Sequence, residues 1–233
     1  MAAMTLRQRN RLAGMRHIQD VALDLMEARG FDGVTLQDVA VAAGVSPSTV
    51  YRYFDTKEHV ILWDEHDVPI GVELVARLRS QPPAIAFRDA FIAALDERAD
   101  TGALLRRVCF IYATPQVHAA AVAQDLRDRT DLARAFSEVM GAPSGALAAD
   151  VMAGCCMAAL DAAIDHWQRA AGATDLRPLI HAAFAPLIDA GKAIREELDG
   201  QRSLSEVVAP LAVAHSGARA SRMTACRPDG HTP

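Results

Sequence analysis

Apolar residues along this chain recur with a period near 3.6, not with the period of two that a half-buried strand requires. Between Arg11 and Arg29, the residues Ile18, Val21, Ala22, Leu25 and Met26 fall on one helical face, and Gly30 follows where a left-handed cap is needed. Thr35 with Asp38 three residues later makes a capping-box variant for a second helix; its inner stripe is Leu36, Val39, Ala40 and Ala43, and Gly44 ends it. Ser46 as N-cap and Pro47 at the first helical position open a third helix that ends near Phe54. Asp55 followed by Glu58 repeats the cap signature ahead of a fourth helix through Val60, Ile61, Leu62 and beyond, which Pro69 bends or interrupts.

Past Arg77 the chain changes character: Gln81-Pro82-Pro83 breaks the pattern and long Ala-rich segments follow. Helices are predicted over residues 84–96, 103–112, 119–140, 145–171 and 176–190, punctuated by Gly102, Pro115, Gly141-Ala142-Pro143 and Gly172. Connections this short join antiparallel neighbours in a bundle. The expected fold is all-α, a three-helix N-terminal domain followed by an antiparallel helical bundle. Boundaries fall at 1–10 for a basic arm, 11–62 for the N-terminal domain, 63–200 for the bundle and 201–233 for a tail rich in Gly, Pro, Ser and Arg, expected to be mobile.

Composition narrows the class. With 233 residues, 51% of them hydrophobic, a core can form without metals or disulfide staples. The most apolar run, Val151 to Ile164, is already interrupted by Asp161 and is too short to span a bilayer, so no membrane partner is expected. The N-terminus lacks the apolar stretch of a secretory signal, which points to the cytoplasm. Cys109, Cys155, Cys156 and Cys226 fit no zinc spacing and read as reduced packing residues, with a thiol sensor at Cys155 and Cys156 as the other reading. Residues 1–60 are neutral overall, so the formal charge of -5 rests on the remainder. Within the neutral part, Arg7, Arg9, Arg11 and Arg16 precede the first acid, a basic arm suited to a polyanion.

Two short helices joined by a tight Gly-containing turn have the helix-turn-helix geometry that puts a second helix into a DNA major groove, although an ordinary surface hairpin shares it. On the second helix Val50 and Phe54 form an anchoring face, Ser48 and Arg52 fall on the far side, and Thr49 and Tyr51 flank them. Ser and Thr at its start can reach base edges, Arg52 can address guanine or phosphate, and the hydroxyls of Tyr51 and Tyr53 can donate to phosphates. Lys57 stands at the next helix start, where a cation and free amides make a phosphate site.

The run from Phe31 to Val60, FDGVTLQDVAVAAGVSPSTVYRYFDTKEHV, resembles the DNA-binding domain of the TetR family of transcriptional regulators, and the likeness extends over about residues 11–62. It implies a three-helix DNA-binding domain ahead of a ligand-binding and dimerisation domain, acting as a repressor that a small molecule releases from double-stranded operator DNA. Carried across, Thr35 touches phosphate, Gln37 approaches the groove, and Pro47, Ser48 and Thr49 meet bases. Tyr51 and Tyr53 clamp the backbone, and Lys57 pins a phosphate. Pro47, Ser48 and Thr49 offer few strong base-reading groups, so specificity leans on Arg52, Gln37, the basic arm and DNA shape. The last two long helices correspond to the family's homodimer interface, with stripes Met152, Cys155, Cys156, Ala159, Ala163 and Leu179, Ala183, Phe184, Leu187; these residues suit an intrachain core equally. The chain also resembles members linked to acyl-coenzyme A sensing, the mycofactocin-regulator-like group, without a motif that transfers residue by residue.

The resemblance puts the effector site among residues 84–171. Candidate lining groups are Phe87, Phe91, Leu105, Cys109, Tyr112, Phe136, Met140 and Trp167, with Arg106 or Arg107 for an acid; each is equally a core residue by its spacing. Such a lining suits a small hydrophobic or acyl-type effector, and no cofactor is called for. The histidines form no metal helix or triad, and no Gly-rich phosphate loop occurs, so an enzyme is not expected. Asp64 and Asp67 can share a helical face and hold a divalent ion, though a solvated acidic turn explains them as well, and Asp161, Asp165 and His166 stand in the same position. The alternative to a regulator is a helical dimeric ligand-binding or adaptor protein with degenerate DNA binding.

Overall fold

A computed structural model describes residues 5–98, 101–141 and 145–199. Ten helices occur among them and no strand: α1 (Leu6–Arg29), α2 (Leu36–Ala42), α3 (Pro47–Tyr53), α4 (Lys57–Leu62), α5 (Asp67–Arg77), α6 (Pro83–Glu97), α7 (Thr101–Ala113), α8 (Pro115–Val139), α9 (Leu147–Arg169) and α10 (Leu176–Asp199). The tail expected at 201–233 lies outside the described residues. The described chain through Leu187 belongs to one compact unit, and Ile188 opens a second.

Helix α1 begins earlier than its apolar stripe predicts. Thr5 accepts from the Gln8 amide at 3.2 Å, and the Gln8 side chain accepts from the Thr5 amide at 2.9 Å. That capping box satisfies two orphan amides and adds turns ahead of Arg11. Arg7 and Arg9, expected in a basic arm ahead of the first helix, are therefore helical.

Around α1 the next three helices close a core of Met15, Ile18, Ala22, Met26, Phe31, Val34, Val39, Val50, Phe54, Val60 and Ile61. Val117, from α8, is fully buried in the same core. Burying a Val or Phe contributes about 1.5–3 kcal/mol each, so this shared packing joins the two parts of the chain. Gly33 is required in the α1–α2 link, because a Cβ there would come within 2.6 Å of the Arg29 carbonyl oxygen.

Helix α4 departs from expectation at both ends. Its N-cap is Thr56, which accepts from the His59 amide at 3.1 Å, not Asp55. It also stops at Leu62, well before Pro69, because the chain extends at Trp63. Pro69 instead occupies the first turn of α5, where its missing N–H has no intrahelical partner to lose.

Helices α6, α7 and α8 pack around α9, whose Ala149, Ala153, Cys156, Leu160, Ala163 and Trp167 are buried, and α5 packs on α6. Phe184 of α10 stacks on Phe87 of α6 with centroids 6.0 Å apart. Contrary to the run-length argument above, α9 is long and apolar enough to cross a membrane by length and composition. Its packing against α6, α7 and α8 covers part of that surface, with 28% of the apolar window buried.

Candidate nucleic-acid interface

Helices α2 and α3 meet through Ala43-Gly44-Val45. Gly44 has φ of +67°, a left-handed conformation that costs glycine little, and it lets the Val45 amide turn back to the Ala40 carbonyl at 3.0 Å. Ser46 then caps α3 by accepting from the Thr49 amide at 3.2 Å. The Val50 and Phe54 side chains are fully buried beneath α3, while Pro47, Ser48, Tyr51 and Arg52 are exposed. The helix presents a polar face on an apolar anchor.

The hydroxyls on that face are already engaged. Ser46 Oγ lies 2.9 Å from both Ser48 Oγ and Thr49 Oγ1, so the helix start carries a three-hydroxyl cluster. Thr35 and Asp38 cap α2 reciprocally, the Thr35 amide donating to the Asp38 carboxylate at 2.8 Å. Hydrogen bonds from the Thr35 side chain and amide hold the Asp38 carboxyl below its ordinary range. Gln37 is exposed beside them. Tyr53 is half-buried, with the guanidinium carbons of Arg52 and Arg11 at 5.0 and 5.6 Å from its ring centre. Lys57 is half-buried too: Nζ donates to the Phe31 carbonyl at 2.7 Å and sits 4.3 Å from the Phe31 ring centre. One of its three N–H donors pins the α1–α2 link, and two remain.

Directly behind this surface, the end of α4 is held from two sides. Gln19 of α1 donates to the carbonyls of Val60 at 2.8 Å and Trp63 at 2.7 Å, with Ile61 at 3.3 Å. From the other side Arg107 of α7 donates to the Trp63 carbonyl and to the Asp64 carboxylate. Arg98 also reaches Asp64, at 2.5 Å, and the other Asp64 oxygen accepts from the His66 amide at 2.9 Å. Burial alone pushes the Asp64 carboxyl up, but the Arg107 and Arg98 guanidiniums overcome it and hold it far below the usual carboxylate range. The carboxylate weighed above as a metal ligand is neutralised by arginine instead. Among the described residues no cluster of three metal-ligating side chains stands together. Apart from the local His66 bond, none of these contacts is legible as a motif, since the partners lie 34 to 44 residues apart.

An open groove of about 850 Å³ runs from α4 across α5, α6 and α8 to α9. Its apolar wall includes Trp63, Leu74, Phe87, Phe91, Leu132 and Met157. Of the predicted effector residues it gathers Phe87 and Phe91 alone. Arg106 instead pairs with Asp24 at 2.6 Å and Glu27 at 2.7 Å, joining α7 to α1. Leu105 packs against Gly172, Tyr112 stacks on His118 at 5.1 Å, and Cys109 is a half-buried thiol away from the groove. Phe136 and Trp167 are core residues, and Met140 is 47% exposed at the α8 terminus. Helical spacing placed them all on inward faces, but it cannot tell a packed face from a lined one. On the dimer stripes, Cys156, Ala163 and Phe184 are likewise spent on the intrachain core. Burial pushes the Cys156 thiol up to about 12, against the thiol-sensor reading of that residue.

A buried-anchor recognition helix behind a tight left-handed turn, backed by a helical bundle, defines a helix-turn-helix DNA-binding regulator. Residues 18–62 match the family described as bacterial regulatory proteins, tetR family, and residues 81–191 match the MftR C-terminal domain. A protein of Mycobacterium tuberculosis (strain ATCC 25618 / H37Rv), assigned by name as the mycofactocin biosynthesis transcriptional regulator MftR, is 28% identical over 166 residues, which cover 69% of this chain and 83% of the relative. The chain belongs to the TetR family of transcriptional regulators, in the mycofactocin-regulator-like group, and that family consists of transcription factors and not enzymes.

Proposed function

We propose that the protein is a cytoplasmic homodimeric repressor that binds a near-palindromic operator and leaves it when a small hydrophobic or acyl-type effector occupies the bundle. The observation that carries this reading is the division of α3 into a buried Val50–Phe54 anchor and an exposed Ser48–Arg52 face. Thr35, Gln37, Pro47, Ser48, Thr49, Tyr51, Arg52, Tyr53 and Lys57 are the proposed DNA contacts. One short helix reads too few bases for a unique genomic site, and two-fold pairing doubles the readout. The outer face of α9 supports pairing: Leu147 is 78% exposed and Val151 54%, beside a shallow groove that also involves Gly154, Cys155 and Ala158.

For the effector, the 850 Å³ groove supplies an aromatic wall of Trp63, Phe87 and Phe91, with Arg127 as a cationic group. Because α4 forms one wall, an occupant there acts directly on the helix that follows the DNA-reading element. Given the relative's name, genes of mycofactocin biosynthesis are the first targets to examine. The test is selection of genomic fragments by the purified protein at two salt concentrations. An enriched two-fold-symmetric site supports operator, dimer and target genes together. Salt-sensitive binding without any enriched sequence overturns the operator reading in favour of the adaptor alternative.

A further inference from the structure

Arg11 belongs to α1, outside the helix-turn-helix, yet its guanidinium lies 5.6 Å from the centre of the Tyr53 ring at the end of α3. Arg52 approaches the same ring at 5.0 Å and its Nη2 donates to the Tyr53 hydroxyl at 3.4 Å. The ring also rests near α1 at Gly14, one turn beyond Arg11, where a Cβ would be 3.9 Å from Tyr53 Cε2. Arg7, one turn before Arg11, shares that side of α1 by helical period. Arg16, further along, is committed to Glu65 at 2.9 Å. Arg11 and Arg52 are exposed and have no acidic partner among the described residues.

A guanidinium held over an aromatic face spends its π-surface on the ring and keeps its N–H edge free, and that edge has the geometry to donate to a phosphate. Two cations drawn to one ring also repel each other, which a phosphate at the ring's edge relieves. Arg52, meanwhile, is drawn along its helix toward Tyr53. We infer that Arg11 is a DNA-phosphate contact contributed by α1, and that Arg11, Tyr53 and Arg52 act as one backbone clamp, so that the only arginine of the recognition helix grips phosphate and not a base. Sequence readout then falls to Ser48, Thr49, Gln37 and DNA shape. This inference rests on the DNA-binding reading above.

The experiment uses the full chain, an enriched duplex from the fragment selection and a scrambled duplex of equal length. Arg11→Ala and Arg52→Ala are expected to weaken both duplexes by the same factor, each lowering the slope of log K against log salt by about one. The enriched motif stays the same, and melting curves stay unchanged because both side chains are exposed. Combining Arg11→Ala with Tyr53→Leu gives less than the sum of the two losses, since Tyr53→Leu already frees Arg11; a contact independent of the ring gives strict additivity and overturns the clamp. An unchanged salt slope in Arg11→Ala, or loss of a guanine from the Arg52→Ala motif, also overturns it. If the unmodified chain binds neither duplex, the DNA-binding reading fails, a result distinct from these.

Discussion

The Arg107 guanidinium meets the Asp64 carboxylate at 2.5 Å, tying the middle of α7 to the first loop residues after α4. Both side chains are nearly nine-tenths buried, at 11% and 13% exposure, and Arg107 adds a bond to the Trp63 carbonyl. Asp64 is also paired with Arg98, so removing Arg107 leaves it one guanidinium short but still compensated, whereas removing the Asp64 charge leaves two buried guanidiniums without their carboxylate. Asp64→Asn is therefore expected to lower stability by about 3 kcal/mol, read from urea denaturation, and to reduce the acid-side sensitivity of the wild type. Arg107→Met should lose less, because Arg98 remains on Asp64. The depressed carboxyl contributes stability at pH values above its unfolded value of 3.8, lost as the pH falls toward its folded value. An Asp64→Asn protein that unfolds on the same curve as wild type would show the bridge to be incidental.

Lys57 is the candidate contact whose surroundings differ most from expectation, because its ammonium caps the Phe31 carbonyl and lies on the Phe31 ring. Lys57→Met keeps the aliphatic packing and deletes the charge. Two outcomes are expected together: a melting temperature lowered by a few degrees, as for the loss of about 1 kcal/mol, and a salt slope reduced by about one. Stability loss with an unchanged slope would assign Lys57 to the fold alone.

The helix-turn-helix was legible because its signals are local. Thr35–Asp38, Gly44 and Ser46–Pro47 each act within four residues, and each predicted boundary there was met within a residue. The Thr5–Gln8 box is equally local and carries α1 ahead of the Arg11 start that its apolar stripe marks. The junction was not legible. Gln19, Arg98 and Arg107 reach Trp63 and Asp64 across 34 to 44 residues, and their role depends on where α4 stops. That stop comes from an extended Trp63, whereas the sequence advertises Pro69. For the effector wall, Phe87, Phe136 and Trp167 carry the same helical signature and all three are buried; only Phe87 also borders the groove, which depends on how α4, α5 and α8 pack and not on spacing.

Thr49 provides a test of direct readout. Its hydroxyl lies 2.9 Å from Ser46 Oγ, so Thr49→Ala removes a base-facing group together with one member of the hydroxyl cluster but keeps the Thr49 amide bond that caps α3. The expected result is a changed preference at one or two operator positions with little change in salt slope, since no phosphate contact is lost. An identical enriched motif would leave sequence discrimination to Gln37, Ser48 and DNA deformability.

Asp67 offers a pH test of the groove. Asp67 is exposed at the start of α5, yet its carboxyl, facing the groove, is raised to about 6, first by desolvation there and then by the neighbouring Asp64 carboxylate, with Arg107 partly offsetting and Asp128 adding to the rise. A carboxyl raised above its unfolded 3.8 binds its proton more tightly in the native state. Stability therefore falls as the pH rises between those two values and remains reduced above them. Asp64 has the opposite sign but changes below that window, and Asp125, raised to about 6 by burial and then by Asp161 and Asp128, has the same sign as Asp67. Asp67→Asn is accordingly expected to raise the melting temperature at about pH 7.5, to leave it nearly unchanged at about pH 3, and to flatten but not abolish the slope between, because Asp125 still titrates. Melting curves of both proteins at the two pH values decide it. An equal gain at both would mean that Asn improves packing, and that the proton on Asp67 is not what the groove senses.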